Sequence, residues 1–345
     1  MRNHIEGFNM RVSYDKMYQV FCALLEDCGM SEDKARRTAA IFADNSRDGI
    51  YSHGLNRFPR FISYLKSGMV KMNEEPELEL SFGALERWNG RLGIGCLNAE
   101  AAVNRASELA LQHGIGCVAM RNTNHWMRGG SYGLIAAEKG LAAICWSNTF
   151  PNIPAWGTKT PKLGNNPLVM AFPSAYGTIL MDGAMSQYSW GAVDKYRMEK
   201  KELPFPGGYD KEGELTTDPA AILESGRFLP IGFWKGSGYS LLLDLIGAAL
   251  SSGNTVSEIG ASGTETALTQ IFIVFDIKRT CGEKGIQELT ERVLADFRSA
   301  EPAEAAHGFT FPGERLMRTR KENLEQGIPV NEEIWRELTD SLTRP

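Results

Sequence analysis

The sequence lacks a basic face, paired cysteines and any long apolar run, and each absence removes a class of function. Its 37 lysines and arginines are outnumbered by 42 aspartates and glutamates, giving a formal net charge of −5. No electrostatic footprint for nucleic acid results. The six cysteines (Cys22, Cys28, Cys96, Cys117, Cys145 and Cys281) contain no C-x-x-C pair, so neither a disulfide framework nor a metal site is expected. Cys117 and Cys145 lie in apolar runs, where a free thiol behaves as a small hydrophobe. The first thirty residues hold no apolar signal-peptide core. The most apolar helical stretch, 239–250, is too short for a bilayer and is interrupted by Asp244. These absences point to a soluble protein of the reducing cytoplasm, with neither nucleic acid nor membrane as a partner.

The familiar catalytic signatures are missing as well. No G-x-G-x-x-G follows an early strand, so a dinucleotide, if bound, is held by another route than the usual Rossmann turn. There is no G-x-x-x-x-G-K-[ST] phosphate loop and no H-E-x-x-H.

What remains is a folded chain of 345 residues, 43% hydrophobic, long enough for one large domain or two smaller ones. After Ser13, a plausible N-cap, Met17, Val20, Phe21, Leu24, Leu25 and Cys28 recur at helical spacing until Gly29. Ser31 opens a second helix with Ala35, Ala39, Phe42 and Ala43 on one face. Near the other end, Ile286, Leu289, Val293, Leu294 and Phe297 share a helix face, and Ile334, Trp335, Leu338 and Leu342 mark the last helix. In the middle, β-rich runs (115–120, 141–147, 168–172, 178–181, 271–277) alternate with helices near 98–113, 131–139 and 237–251. The pattern predicts an α/β fold: a central domain, 81–282, flanked by a discontinuous helical domain built from 10–80 and 283–345. Residues 203–218, rich in proline, glycine and charge, read as a surface loop. Residues 1–9 precede any pattern; an unstructured extension is expected, and synthesis beginning at Met10 would leave the same trace.

Two histidine-centred segments carry chemistry. In Tyr51-Ser52-His53-Gly54-Leu55-Asn56-Arg57-Phe58-Pro59, the proline is tolerated only in a first helical turn. That places His53 at or just before a helix N-terminus, with Arg57 one turn on. Free N–H groups attract an anion there, arginine can clamp a carboxylate, and imidazole titrates near neutrality. A capping histidine beside a surface arginine fits the spacing equally. In Asn124-His125-Trp126-Met127-Arg128-Gly129-Gly130, which follows an apolar strand, Trp126 and Met127 offer an apolar wall and Arg128 offers hydrogen bonds. A turn whose tryptophan packs in the core fits as well. A third segment, Gly232-Phe233-Trp234-Lys235-Gly236, leads into a helix and could hold a phosphate, although a structural helix start explains it too.

Together and in this order, the segments resemble the malate/L-lactate dehydrogenase family of the second, non-Rossmann type. The anchors run from Met10 to the last helix: Ser52-His53-Gly54 with Arg57, Asn124-His125, Asn165-Asn166-Pro167, residues 182–186, Trp234-Lys235-Gly236 and Pro312-Gly313-Glu314. The resemblance implies a non-Rossmann mixed sheet, a homodimer, and NAD(P)H-dependent reduction of a 2-oxo acid in which hydride reaches the C2 carbonyl. It assigns the proton donor to His53 and the substrate pocket to Ser52, Arg57, Asn124, His125, Met127 and Arg128. Cofactor contacts fall on Thr178, Ile179, Leu180, Met181, Asp182, Gly183 and Ala184, on Trp234 and Lys235, and on Gly313, Glu314 and Arg315. Many members have small residues where this chain has Met127 and Arg128, which favours a hydroxylated diketo sugar acid. The resemblance implies NADH in preference to NADPH, and 178–186 offers no arginine cluster to hold a 2′-phosphate. The chain departs from its relatives at Gly183, often methionine, and by one extra residue between Pro173 and Asp182. Malate, lactate, sulfolactate or ureidoglycolate dehydrogenase and cyclic-imine reductase stay open on the same scaffold. From other classes, a metal-dependent hydrolase or lyase using His53 and His125, or a non-catalytic binding protein, stays open too.

Overall fold

A computed structural model describes residues 10–302 and 310–343. The expected extension at 1–9 lies outside the described residues.

The chain enters as a short strand, β1 (Met10–Val12), and continues into α1 (Tyr14–Asp27) and α2 (Glu32–Arg47). The Ser13 hydroxyl accepts the Lys16 N–H and caps α1, whose buried stripe is Met17, Val20, Phe21, Leu24 and Leu25. Two 3-10 turns, Tyr51–His53 and Leu55–Arg57, lead to α3 (Phe58–Lys66), which has proline in its first turn. Phe21 stacks on Phe58 at 4.1 Å between ring centres, and Phe42 meets both Phe58 and Phe61 at 5.1 Å. The far end of the chain closes the same core: β14 (Ile328–Val330) pairs antiparallel with β1, and Trp335 and Leu338 of α12 (Glu332–Thr343) are buried in it.

Between these ends lies a seven-stranded sheet. Its strands in chain order are β2 (Glu77–Phe82), β3 (Leu85–Asn89), β4 (Ile115–Thr123), β5 (Ala142–Ser147), β8 (Leu168–Phe172), β9 (Ile179–Gly183) and β13 (Leu268–Phe275), with the small hairpin β6 (Pro151–Pro154) and β7 (Pro161–Gly164) inserted. In space the order is β2-β3-β4-β13-β5-β8-β9. The pair β3–β4 is parallel and the others are antiparallel, so the sheet is mixed. One face is covered by α4 (Gly95–His113) and α5 (Gly130–Glu138), through Ala102, Val103, Ala106, Tyr132 and Ala136 against Val118, Met120 and Phe272. The other face carries Trp146 and Ile271, with Leu243 and Leu250 of α8 (Trp234–Ser251) packed on them.

Three expectations need correction. Residues 203–218 are not all loop: β10 (Gly208–Tyr209) pairs with β11 (Leu215–Thr216) on one side and β12 (Arg227–Phe228) on the other. Backbone pairing there needs no apolar alternation, so composition could not reveal it. The strand expected over 271–277 runs Leu268–Phe275, because Ile277 already begins α10 (Ile277–Arg298). The hairpin β2–β3 was not expected at all. Leu78, Leu80 and Phe82 alternate with polar residues along β2, yet all six residues of the strand are exposed, so the alternation marks no core face.

One buried carboxylate fastens the two ends to the sheet region. Asp48, at the C-terminus of α2, receives Arg47 (2.9 Å), Arg128 from the loop before α5 (2.8 Å) and the Nε and Nη2 of Arg320 (2.7 Å each) from α11 (Glu314–Gln326). Burial alone would raise its pKa; the Arg320 hydrogen bonds and the three positive charges lower it below the usual carboxylate range instead. Asp48→Asn would leave buried arginines uncompensated and should cost about 3–5 kcal/mol, read as a lower urea midpoint at pH 7. A loss below about 1 kcal/mol would mean that the cluster contributes no net stability.

Candidate active site

His53 is held by its backbone. Gly54 lies so close to α2 that a Cβ would sit 2.1 Å from Ser46 Oγ. The same hydroxyl accepts the Leu55 N–H at 2.9 Å, and the buried Asn45 amide donates to the His53 carbonyl at 3.0 Å. This explains why His53 ends a 3-10 turn and a second turn follows: Gly54 docks on α2 before α3 can start. The expectation of His53 at or just before the helix N-terminus is corrected to that extent. Arg57, not His53, takes the N-cap position of α3.

His125 comes from the loop between β4 and α5. Met127 has a left-handed backbone (φ 66°), which turns its N–H onto His125 Nδ1 at 3.0 Å. Nδ1 is therefore an acceptor, and in the neutral ring the proton sits on Nε2. The two imidazoles stack with centres 5.7 Å apart and planes 19° apart. Ser52 Oγ lies 3.0 Å from His53 Nδ1. Asn124 fixes the loop: its amide donates to Leu92 O (2.7 Å) and Gly93 O (2.9 Å), while its carbonyl accepts Gln270 Nε2 (2.9 Å). Gly95 is needed here, since a Cβ would lie 2.2 Å from Asn124 O.

These elements enclose a cavity lined by Arg57, Phe61, Tyr64, Val70, Gly95, Asn124, His125, Met127 and Glu265. Glu265, from the loop before β13, faces Arg57 with Nη2 3.8 Å from Oε2. It stood in a polar loop without periodicity, and sequence reasoning missed it. Burial is the main force on both histidines and holds each at about 3. For His53 the neighbouring His125, Arg57 and Arg128 add to it, and for His125, Arg57 and Arg60 do.

Ser52, His53, Arg57, Asn124, His125 and Met127 are thus brought together, but Arg128 is not at the pocket edge. It is 3% exposed, with Nη1 on Asp48 and Nε 3.9 Å from Asp182. Sequence spacing cannot show this, because Asp48 lies 80 positions away. Trp126 is no pocket wall either; it packs in the sheet core against Tyr132 and Phe272.

The residues expected at the cofactor fall into two contacting pairs of segments. Thr178–Leu180 meets the start of α11: Leu180 N donates to Pro312 O at 3.0 Å, and a Cβ on Gly313 (φ 101°) would strike Thr178 O at 2.5 Å. Ile179, Met181 and Gly183 continue along β9, while Arg315 is exposed on α11. The strand end beyond Ala184 meets the start of α8: Ile231 N donates to Met185 O, and Gly236 packs against Met185 O. Asp182 ties β9 to the histidine loop by accepting the Gly130 N–H at 2.8 Å. Among the described residues no group of three or more His, Cys, Asp or Glu could hold a metal ion, and no helix is long and apolar enough to cross a membrane.

The structure thus sets a half-buried histidine pair beside an arginine, at a mixed sheet clasped by helices. The malate/L-lactate dehydrogenase family matches residues 12–339, and the chain belongs to that family. A 2,3-diketo-L-gulonate reductase of Haemophilus influenzae is 41% identical over 330 residues, 95% of this chain and 99% of the relative. The enzyme of the same name from Pasteurella multocida is 41% identical with the same coverage. Among solved structures, a malate dehydrogenase of Entamoeba histolytica shares the fold (TM-score 0.91, 24% identity, 97% of this chain and 99% of that one). A sulfolactate dehydrogenase of Methanocaldococcus jannaschii superposes with TM-score 0.87 at 27% identity, covering 97% and 98%.

Two expectations follow. The histidines bind protons more weakly folded than unfolded, so their stabilising contribution is complete above the unfolded value near 6.5 and is lost as pH falls toward 3. Unfolding free energy should therefore drop by up to about 1.4 kcal/mol per pH unit for each ring below pH 6.5. His125→Asn should flatten that slope in urea titrations; an unchanged slope would contradict the burial argument. Arg128→Ala should lower kcat/KM for long and short 2-oxo acids alike and reduce stability, because it removes a partner of Asp48. A loss confined to long acids in steady-state assays would put its guanidinium back at the substrate.

Proposed function

We propose that the chain reduces 2,3-diketo-L-gulonate to 3-dehydro-L-gulonate, with His53 delivering the proton to the C2 oxygen. The observation that carries the reading is His53 stacked on His125, which lines one cavity with Arg57, in a chain so similar to reductases of that name. A reduced nicotinamide, NADH in preference to NADPH, supplies the hydride. The substrate carboxylate lies on Arg57, and His125 Nε2–H donates to a substrate oxygen. His53 begins unprotonated, and the arriving carboxylate raises its pKa, so that substrate and proton are taken up together.

The residues present fit the cofactor. Helix α8 starts at Trp234 with no side-chain cap and no acidic residue in its first turn, so the positive end of its dipole and the Lys235 ammonium together suit a pyrophosphate. At α11, by contrast, Glu314 occupies the first turn, which favours a ribose hydroxyl over a 2′-phosphate. The dominance of antiparallel pairing supports a non-Rossmann route to the dinucleotide. Exposed Trp234, Tyr239, Leu242, Leu245 and Ile246 along α8 support a homodimer. The helical part built from both chain ends and a cytoplasmic location complete the proposal.

The test is a panel of 2-oxo acids and diketo sugar acids, followed by loss of NADH or NADPH absorbance. The sugar acid and NADH should give the highest kcat/KM. His53→Ala should fold and lose at least about a hundredfold in kcat. In the wild type, log kcat/KM should fall with rising pH across the range above His53's free value of about 3, while kcat holds until the higher pKa of the complex. A kcat/KM that is flat or rises with pH, or near-normal activity of His53→Ala, would remove His53 from the role.

A further inference from the structure

Among the described residues, Glu265 is the one acidic side chain lining the cavity that also holds Arg57 and His125. Its Oε2 lies 3.8 Å from Arg57 Nη2, and its Oε1 accepts the Phe150 N–H at 3.4 Å. Its side chain remains 30% accessible, so it faces the cavity without being consumed by either contact. The other guanidinium once expected at the substrate, that of Arg128, is turned away onto Asp48. Arg57 and Glu265 thus give the cavity wall one positive and one negative charge. A first carboxylate can take the free edge of Arg57. A second would meet an anion, with no further Lys or Arg among the described lining residues to offset it. Hydroxyl groups, however, find in Glu265 a charged acceptor.

We propose that Glu265 is a specificity-determining residue that restricts the site to hydroxylated monocarboxylic acids and rejects dicarboxylic ones. This rests on the reading of the site as a 2-oxo acid reductase and names the feature that selects the acid. The residue discriminates through like-charge repulsion on one side and hydroxyl recognition on the other, and takes no part in the proton or hydride step.

Three substrates separate these effects. Pyruvate has neither hydroxyls nor a second carboxylate and serves as the internal reference. In Glu265→Gln, kcat/KM for oxaloacetate relative to pyruvate should rise about tenfold, equivalent to 1.4 kcal/mol. That for 2,3-diketo-L-gulonate relative to pyruvate should fall by about the same factor. Glu265→Asp keeps the charge and should move both ratios back toward wild type. An oxaloacetate-to-pyruvate ratio unchanged in Glu265→Gln would overturn the proposal.

Calorimetry on the intact protein with L-malate and L-lactate decides the same point without turnover. The affinity ratio of malate to lactate should rise about tenfold in Glu265→Gln, and an unchanged ratio overturns the proposal. A wild type that binds these acids with the expected dependence on Glu265, yet fails to reduce the diketo sugar acid, would refute the substrate assignment alone. A well-folded melting profile for both variants excludes general unfolding as the cause.

Discussion

Asp48 is where the architecture is decided. It lies at the end of α2, in the helical core, yet its ligands come from the α2 terminus itself, from the loop that carries His125 and from α11 near the far end of the chain. A buried carboxylate without partners would be protonated or would unfold its surroundings. Three arginines keep it charged and, in doing so, fix three segments to one point. The registry of Arg128 then carries through to Asp182, which holds the first N–H of α5. The histidine loop and the strand expected at the cofactor are thereby coupled through two acidic side chains and one guanidinium.

That coupling also shapes the electrostatics of the cavity. Arg128 cannot reach the cavity edge, but its charge stays close enough to act on His53, together with Arg57 and His125. Cations on one side and burial on the other hold both rings neutral. A neutral imidazole whose Nδ1 accepts a backbone N–H, as in His125, has its Nε2 proton fixed in direction. The pair is therefore asymmetric: the Nε2–H of His125 is fixed in direction, and His53 lies neutral beside it.

Packing explains why this geometry is rigid. Gly54 and Gly95 are each pressed against backbone or side-chain atoms that leave no room for a Cβ, at α2 in one case and at Asn124 in the other. These two close approaches set the positions of His53 and His125 relative to the helical core and to the N-terminus of α4. The sheet contributes through β13, whose Gln270 side chain holds the Asn124 carbonyl from the central position of the sheet.

Much of this was legible in the chain itself. Helical spacing located α1, α2 and α12, and short apolar runs located β4, β5, β8 and most of β13, because burial of one face is a local, periodic demand on sequence. The motif around His53 and the one around Asn124 and His125 supplied Arg57, Asn124, His125 and Met127 of the cavity lining for the same reason: each segment places its own side chains at one loop. Partnership across the chain was not legible. Nothing local to Arg128 tells whether its guanidinium meets a substrate or a carboxylate 80 residues earlier, and nothing around Glu265 reveals that it faces Arg57. Nor does the alternation in β2 show that the strand lies at a sheet edge with every residue exposed. Which residues can form helices, strands and reactive loops is fixed by short-range sterics and hydrophobic periodicity. Which charges pair is fixed by the three-dimensional approach of distant segments, and only the tertiary structure decides that.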